Sequence, residues 1–321
     1  MRRRAFIAAC AVAVAAARAH AQAPTKPARV GVVSNSTGTG GPVVGFRRGL
    51  AEKGYVEGQN LIIEERFAEG AADRLPALVA DILAQHVDVL YAAGTQTALI
   101  AKRLTTTVPI VFQSGDPVGA GLVASLARPN GNLTGLSVLS GEYSRKWLAL
   151  LKEAVPSLRR VGVLWNPDNP VIVAEVEQVR QVAAGLGLEI AAFHVLADDI
   201  DASLAAISSA GVDGLVITDD ASINRLTPRL SVFAAEHRLP AIAGDAEWVR
   251  TGLLMSYSAD FTALGRRAAT YADRILKGAR PADLPVEQAS EFTLRLNLKT
   301  AKALRLDISP NLLAQADEVI E

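Results

Sequence analysis

The stretch RVGVVSN at residues 29–35 recurs almost unchanged as RVGVLWN at residues 160–166. Two further echoes follow in the same order: VDVL at 87–90 with VDGL at 212–215, and VPI at 108–110 with LPAI at 239–242. Each echo is a short apolar run that ends in small or polar residues, which is typical of a buried parallel strand leading to a site. The repeat therefore predicts two similar lobes that face each other across a ligand cleft.

The first 21 residues have the features of a secretory signal. Three arginines at positions 2–4 precede an apolar stretch at 5–17, and the sequence AHA at 19–21 predicts cleavage after Ala21. The apolar stretch is shorter than the roughly 20 residues that span a bilayer. The arginines loosely resemble a twin-arginine export signal. Too few apolar residues precede Cys10 for a lipid-attachment site, and its removal would leave a mature chain without cysteine. We therefore expect a periplasmic protein without a membrane anchor.

Composition limits the function classes. The chain has 33 basic and 33 acidic residues, and loss of the four leader arginines leaves 29 basic residues, so the mature protein is mildly acidic. This charge balance argues against binding nucleic acid through phosphate contacts. A mature chain of about 300 residues exceeds what one core usually serves, so two domains are expected.

Strand and helix patterns alternate from residue 29 onward, which predicts parallel sheets with helices on both faces. The predicted strands are 29–33, 61–67, 87–91 and 108–112 in the first half, and 160–164, 188–194, 212–217 and 240–243 in the second. The region after residue 252 fits neither repeat, so the chain must pass between lobes. We predict three crossings, at 137–142, 256–260 and 277–286. The lobes are then 29–138 plus about 258–282, and about 139–257 plus 283–321, with a hinge between them.

Several motifs resemble those of the solute-binding proteins of ABC importers. They are GYVEGQN at 54–60, GT at 94–95, DPV at 116–118, SLARPNGNLTG at 125–135, RLPA at 238–241, GLLMSY at 252–257 and PADLPVEQ at 281–288. The likeness covers the mature chain and is closest to the TrpX-like group, some members of which are tied to aromatic amino acids. It implies an α/β fold of the type I periplasmic binding protein kind: two Rossmann-like lobes, a three-crossing hinge, and delivery of a small solute to a membrane permease by a monomer. A periplasmic sensor subunit remains the alternative.

Ligands of open parallel sheets bind beyond the carboxyl ends of the strands. In the first half this rule selects Ser34, Asn35, Gly94, Thr95, Ser114 and Asp116, and in the second half Asn166, Asp219, Asp220 and Asp245. The hydroxyls would donate to a ligand carboxylate, and the aspartates would accept from an ammonium group. Tyr257 and Trp165 could stack on an aromatic ligand. Each Ser or Asp could instead be an ordinary helix cap.

Enzyme classes find little support in the sequence. The segment GTGGPVVG at 38–45 follows a strand, but Val43 stands where a dinucleotide-binding fingerprint needs a small residue. There is no nucleophile elbow and no zinc-binding His pair, and after cleavage the histidines are only His86, His194 and His237. We expect no catalytic residue, no metal and no cofactor. A sugar-responsive repressor would need a basic helix-turn-helix where this chain has a leader.

Overall fold

The structure, a computed structural model, describes residues 26–195 and 200–321. The predicted signal sequence and Cys10 lie outside the described residues. Two sheets organise the chain, and each has helices on both faces. We call the first sheet with its helices the first lobe and the second sheet with its helices the second lobe.

The first sheet has six parallel strands in the order β11-β5-β4-β3-β1-β2. These are β1 (Ala28–Ser34), β2 (Leu61–Phe67), β3 (Val89–Ala93), β4 (Ile110–Ser114), β5 (Leu133–Ser137) and β11 (Glu287–Gln288). The helices of this lobe are α1 (Gly41–Glu52), α2 (Leu75–Ala84), α3 (Thr95–Leu104) and α10 (Phe261–Leu276). Helices α1 and α10 cover one face of the sheet, and α2 and α3 cover the other.

The second sheet has seven strands in the order β13-β12-β10-β9-β8-β6-β7. They are β6 (Arg160–Trp165), β7 (Glu189–His194), β8 (Gly214–Ile217), β9 (Ala241–Ala243), β10 (Met255–Ala259), β12 (Phe292–Asn297) and β13 (Glu318–Ile320). Strand β12 runs antiparallel to β10, so this sheet is not wholly parallel. The helices are α4 (Ser140–Ala154), α5 (Pro170–Gly185), α6 (Ile200–Ser209), α7 (Ala221–Asn224), α8 (Thr227–Glu236), α9 (Glu247–Arg250), α11 (Leu298–Ala303) and α12 (Pro310–Gln315).

The internal repeat is visible in the topology and in the hydrogen bonds. Strand β1 lies between β2 and β3, and β6 lies between β7 and β8. Asp88 accepts a hydrogen bond from the backbone N–H of Arg29 at 2.7 Å, and Asp213 accepts one from Arg160 at 3.0 Å. The predicted correspondence between the two halves is therefore confirmed. It extends to the loops that precede β3 and β8.

The chain passes between the lobes three times. It crosses at residues 138–139, between β5 and α4, and again at Asp260, between β10 and α10. The third prediction, at 277–286, was wrong, because this segment still belongs to the first lobe. Val286 donates its backbone N–H to Leu126 at 2.7 Å, and β11 then pairs with β5. The third crossing is at 289–291, so the break at Pro281 and Pro285 is a turn at the edge of the first sheet.

Helices α1 and α10 pack unusually closely in the first lobe. A Cβ atom added at Gly45 would lie 2.0 Å from the carbonyl oxygen of Thr262, and one added at Gly265 would lie 2.0 Å from that of Pro42. Only glycine permits this approach of one backbone to the other. The pair therefore fixes the start of α1 next to Phe261, directly after the second crossing.

Candidate functional site

A cavity of about 410 Å³ lies between the carboxyl ends of the two sheets. Its volume falls in the usual range for small-molecule pockets, about 300–1,000 Å³. Both lobes line it: the first through the loops after β1, β3 and β4, the second through α4, α5 and the loops after β8 and β9. The cavity is thus where the repeat predicted a cleft.

The two lobes touch each other around this cavity. Gln96 donates from Nε2 to the carbonyl oxygen of Asp168 at 3.3 Å. The side chain of Val171 lies close against Gly115, where an added Cβ would be 2.5 Å from Cγ1 of Val171. Contacts between the lobes therefore partly enclose the cavity.

The first lobe presents two helix amino termini to the cavity. Gly40 precedes α1 and Gly94 precedes α3, and neither helix has a side-chain cap. Gly94 has φ +113°, a conformation that favours glycine. Since the first N–H groups of a helix have no partner within it, an anion at these positions would accept hydrogen bonds and meet the positive end of the helix dipole.

The corresponding helices of the second lobe are capped by side chains. Asn169 accepts from the backbone N–H of Val171 at 3.2 Å at the start of α5. Asp220 accepts from the N–H of Ser222 at 2.9 Å at the start of α7. The two walls of the cavity therefore differ: donors are available in the first lobe, and they are occupied in the second.

Carboxylates dominate the second wall. Asp219, Asp220 and Asp245 follow β8 and β9, and Glu175 reaches the cavity from α5. Asp220 is fully engaged, because Asn166 and Asn169 also donate to it, at 3.0 and 2.8 Å. Among described residues, Asp219 accepts one side-chain hydrogen bond, from Asn224 at 2.8 Å, and Asp245 accepts from the N–H of Glu247 at 2.8 Å.

Burial raises the pKa of three of these carboxyl groups, those of Asp219, Asp245 and Glu175. Burial is the main cause for Asp219, and the charge of Asp245 raises the pKa of Asp219 further. Burial likewise raises the pKa of Asp245. Glu175 is only 2 % exposed, and burial raises its pKa to about 8. The hydroxyl of Ser140 lowers this pKa in part, and the charge of Asp220 raises it slightly. A cationic group in the cavity would stabilise the ionised form of each acid.

Four buried polar atoms of the lining have no hydrogen-bond partner among the described residues. They are Oδ1 of Asn35, Oγ1 of Thr97, Oγ of Ser140 and Oε2 of Glu175. Buried polar groups are normally paired, so such a concentration around one cavity indicates a polar occupant. Apolar surface comes from Tyr143, Ile172, Trp248 and Phe261.

Seven of the predicted site residues line the cavity, and four do not. Those in the lining are Ser34, Asn35, Gly94, Thr95, Asp219, Asp220 and Asp245. Ser114 lies behind the wall, where its hydroxyl is 2.9 Å from that of Thr95. Asn166 also lies behind the wall and holds Asp220. Asp116 caps a turn by accepting from Val118 and Gly119.

The two side chains expected to stack on an aromatic ligand also lie outside the lining. Tyr257 packs against Phe292, with ring centroids 6.1 Å apart, and its hydroxyl accepts from Lys146 at 2.9 Å. Trp165 packs edge-on against His194 at 4.7 Å. Strand β10 carries Tyr257 into the core beside the crossing, so the aromatic lining is formed instead by Tyr143, Trp248 and Phe261.

Sequence reasoning missed Glu175, and one signal could have found it. In α5, apolar residues at 172, 176 and 179 define the buried face, and position 175 lies on that face. A carboxylate there costs free energy unless it has a function or a partner. Gln96, Thr97 and Tyr143 were missed because they lie on helices and not directly after a strand.

Within residues 26–195 and 200–321, no helix is long and apolar enough to cross a membrane. The same residues contain no group of three or more His, Cys, Asp or Glu side chains placed to hold a metal ion.

Known proteins share this architecture. The chain is 29% identical over 263 residues to a tyrosine-binding protein of Clostridioides difficile, which covers 81% of this chain and 75% of the relative. It superposes with TM-score 0.85 on a conserved domain protein from Vibrio cholerae (30% identity) and, with the same score, on an ABC domain in complex with L-Trp from Streptococcus pneumonia (26% identity). Both alignments cover 92% of this chain and all of the other. The fold is that of type I periplasmic binding proteins.

The sequence of this chain also matches a protein-family model. It matches residues 32–320, which include nearly all of both lobes, all three crossings and every residue of the cavity lining. The lobed architecture, the polar cavity between the sheets and this match agree: the chain belongs to the family described as ABC transporter substrate binding protein.

Proposed function

We propose that this protein is the extracytoplasmic binding subunit of an ABC importer and that it captures a free amino acid between its lobes. One observation carries the choice of ligand: the two walls of the cavity have opposite polarity. The first wall offers the uncapped starts of α1 and α3 to an anion, and the second offers Asp219, Asp245 and Glu175 to a cation. The α-carboxylate and α-ammonium groups of an amino acid match these walls.

Two relatives support this proposal. One relative is called tyrosine-binding and one structure holds L-Trp, so amino acids are bound within the same fold. In this chain Tyr143, Trp248 and Phe261 provide apolar surface for a large side chain. Hinge closure about the three crossings would bring the walls together, and a closed form held by contacts to both ends of the ligand needs no chemical step.

The proposal is tested by blocking one charge of the ligand at a time. Isothermal titration of the mature protein with the common amino acids identifies a ligand. Its N-acetyl and methyl-ester derivatives, each lacking one charge, are then expected to bind at least tenfold more weakly, because each leaves one wall unpaired. Equal affinity for the free and the blocked forms would contradict it.

A substitution in the second wall tests whether that wall binds the ligand. Asp219→Asn should weaken binding of the free amino acid by at least tenfold while the melting temperature of the empty protein stays within about 2 °C, since Asp219 makes a single described side-chain bond. Glu177→Gln is the matched control, because Glu177 is exposed on the outer side of α5. Uptake of labelled ligand by cells with and without the gene then separates import from sensing.

A further inference from the structure

The charges around the cavity are unbalanced for a ligand with no net charge. Among described residues, six carboxylates line the cavity and Arg225 is the single basic side chain. The carboxylates are Glu69, Glu175, Asp219, Asp220, Asp245 and Glu247. The α-ammonium and α-carboxylate groups of an amino acid carry one positive and one negative charge. The α-carboxylate would bind at the first wall. Glu69 and Glu247 form ion pairs with Arg74 and Arg250, which lie outside the lining, and Asp220 accepts from Asn166 and Asn169. The acids that remain for a ligand are Asp219, Asp245 and Glu175, and all three belong to the second wall.

Not every carboxylate is needed for the α-ammonium group. Asp220 already accepts three described hydrogen bonds, so its role is to hold neighbouring residues in place. Asp219 and Asp245 follow neighbouring strands, β8 and β9, and each accepts only one described bond. These two can receive the three N–H donors of one ammonium group between them. Glu175 is then not needed to bind the α-ammonium group.

Glu175 has the features of an acceptor that awaits a donor. It is 2 % exposed, its Oε2 has no partner among the described residues, and it forms none of the described ion pairs. It reaches the cavity from α5, whereas Asp219 and Asp245 follow strands. Ser140 and Tyr143 line the same cavity from the neighbouring helix α4, and the Ser140 hydroxyl is near enough to Glu175 to lower its pKa in part. An unpaired carboxylate at this depth is costly unless a ligand group meets it.

We propose, building on the amino-acid binding proposed above, that the preferred solute carries a second positively charged nitrogen at the end of its side chain and that Glu175 receives it. The chemical class is that of basic amino acids, such as lysine, ornithine and arginine. The rings of Tyr143, Trp248 and Phe261 in the lining suit the hydrocarbon stem and attract the cationic end. Glu175 is thus a specificity-determining residue.

The decisive test compares ligands that differ only in this charge. Arginine and citrulline have nearly the same shape, and only arginine is cationic. Lysine and norleucine form a second pair, in which norleucine lacks the terminal nitrogen together with its charge. Titration calorimetry is expected to show the cationic member of at least one pair binding tenfold or more tightly than its neutral partner. Equal affinities in both pairs, or tighter binding of the neutral members, would overturn the inference.

Variants then assign the preference to Glu175. Glu175→Gln should reduce the preference for the cationic ligand over its neutral partner to less than threefold. Glu175→Asp should retain part of the preference, and Glu177→Gln on the same helix should retain all of it. An unchanged preference in Glu175→Gln would remove Glu175 from this role. A thermal melt of each variant confirms folding.

The outcomes separate this inference from the amino-acid proposal. If tyrosine, tryptophan or another neutral amino acid binds more tightly than every basic one, the inference fails and the proposed function stands. If no free amino acid binds, both fail. Binding of arginine or lysine that is lost in their N-acetyl and methyl-ester forms supports both.

Discussion

Asp219 and Asp220 are neighbours in the chain but have different roles. Asp220 caps α7 and accepts from Asn166 and Asn169, so its three donors would be left unpaired in Asp220→Ala. We expect this substitution to lower the free energy of unfolding by about 2 kcal/mol or more, because unpaired buried donors are costly. Denaturant unfolding of Asp220→Ala and Asp219→Asn measures the difference, and equal stability of both variants would contradict it.

Also at the scale of single residues, the titration of Glu175 should make the free energy of unfolding depend on pH. Its pKa is about 8 in the folded protein and near 4.5 when unfolded, so the folded state binds more protons between these values. Stability is therefore highest at low pH and falls as pH rises through about 8, by at most about 1.4 kcal/mol per pH unit for one proton.

Thermal melts between pH 6 and 9 test this dependence on the ligand-free protein. Asp219 and Asp245 also titrate with raised pKa values, so the native protein must be compared with Glu175→Gln. The native protein should lose more stability than the variant over this range. Parallel curves for the two proteins would show that Glu175 does not titrate there.

At the scale of elements, the sequence predicted β1 to β4 and β6 to β9 but missed their ends in places, and it predicted no strand at β5, β11 or β13. The patterns at 87–91 and 108–112 are shifted by two residues from β3 and β4, because Asp88 and Pro109 belong to the entering loops. The edge strand β11 has two residues and no apolar alternation, so periodicity could not reveal it. Its neighbour Val286 depends on a contact with Leu126, which is distant in sequence.

The sequence likewise predicted part of the candidate site. The rule that ligands bind beyond strand ends found seven lining residues, since strand ends can be read from the sequence. Which side chain turns toward the cavity depends on loop geometry. Thr95, for example, lines the cavity but also bonds to Ser114 and to the N–H of Gly115, so Thr95→Ala should cost stability as well as affinity.

The close helix pair gives a prediction for backbone packing. Gly45→Ala should destabilise the protein by about 1–3 kcal/mol, because the new methyl group meets the carbonyl oxygen of Thr262. Gly185→Ala at the end of α5 is the control, since nothing lies within 4 Å of an added Cβ there. We expect the control to be neutral or slightly stabilising by chemical denaturation. A native-like Gly45→Ala variant would mean that α1 and α10 can separate at little cost.

At the scale of the whole molecule, contact between the lobes should control affinity. In Gly115→Ala the new methyl group would meet Val171 across the cavity and hold the lobes apart. We expect ligand affinity to fall at least tenfold through faster dissociation, with unfolding little changed. The double variant with Val171→Ala should recover part of the loss. Stopped-flow binding tests both, and native dissociation rates in Gly115→Ala would count against closure at this point.

The three crossings also determine the order in which the chain can be completed during synthesis. Helix α10 and strand β11 belong to the first lobe but follow ten strands in sequence. Until residues 261–288 leave the ribosome, the apolar side of α1 at Val43, Phe46 and Leu50 lacks the helix that covers it. The amino-terminal half consequently cannot reach its mature core early, and a nascent chain stopped at residue 260 should remain sensitive to protease in the first lobe, whereas one that extends past residue 288 should resist it there.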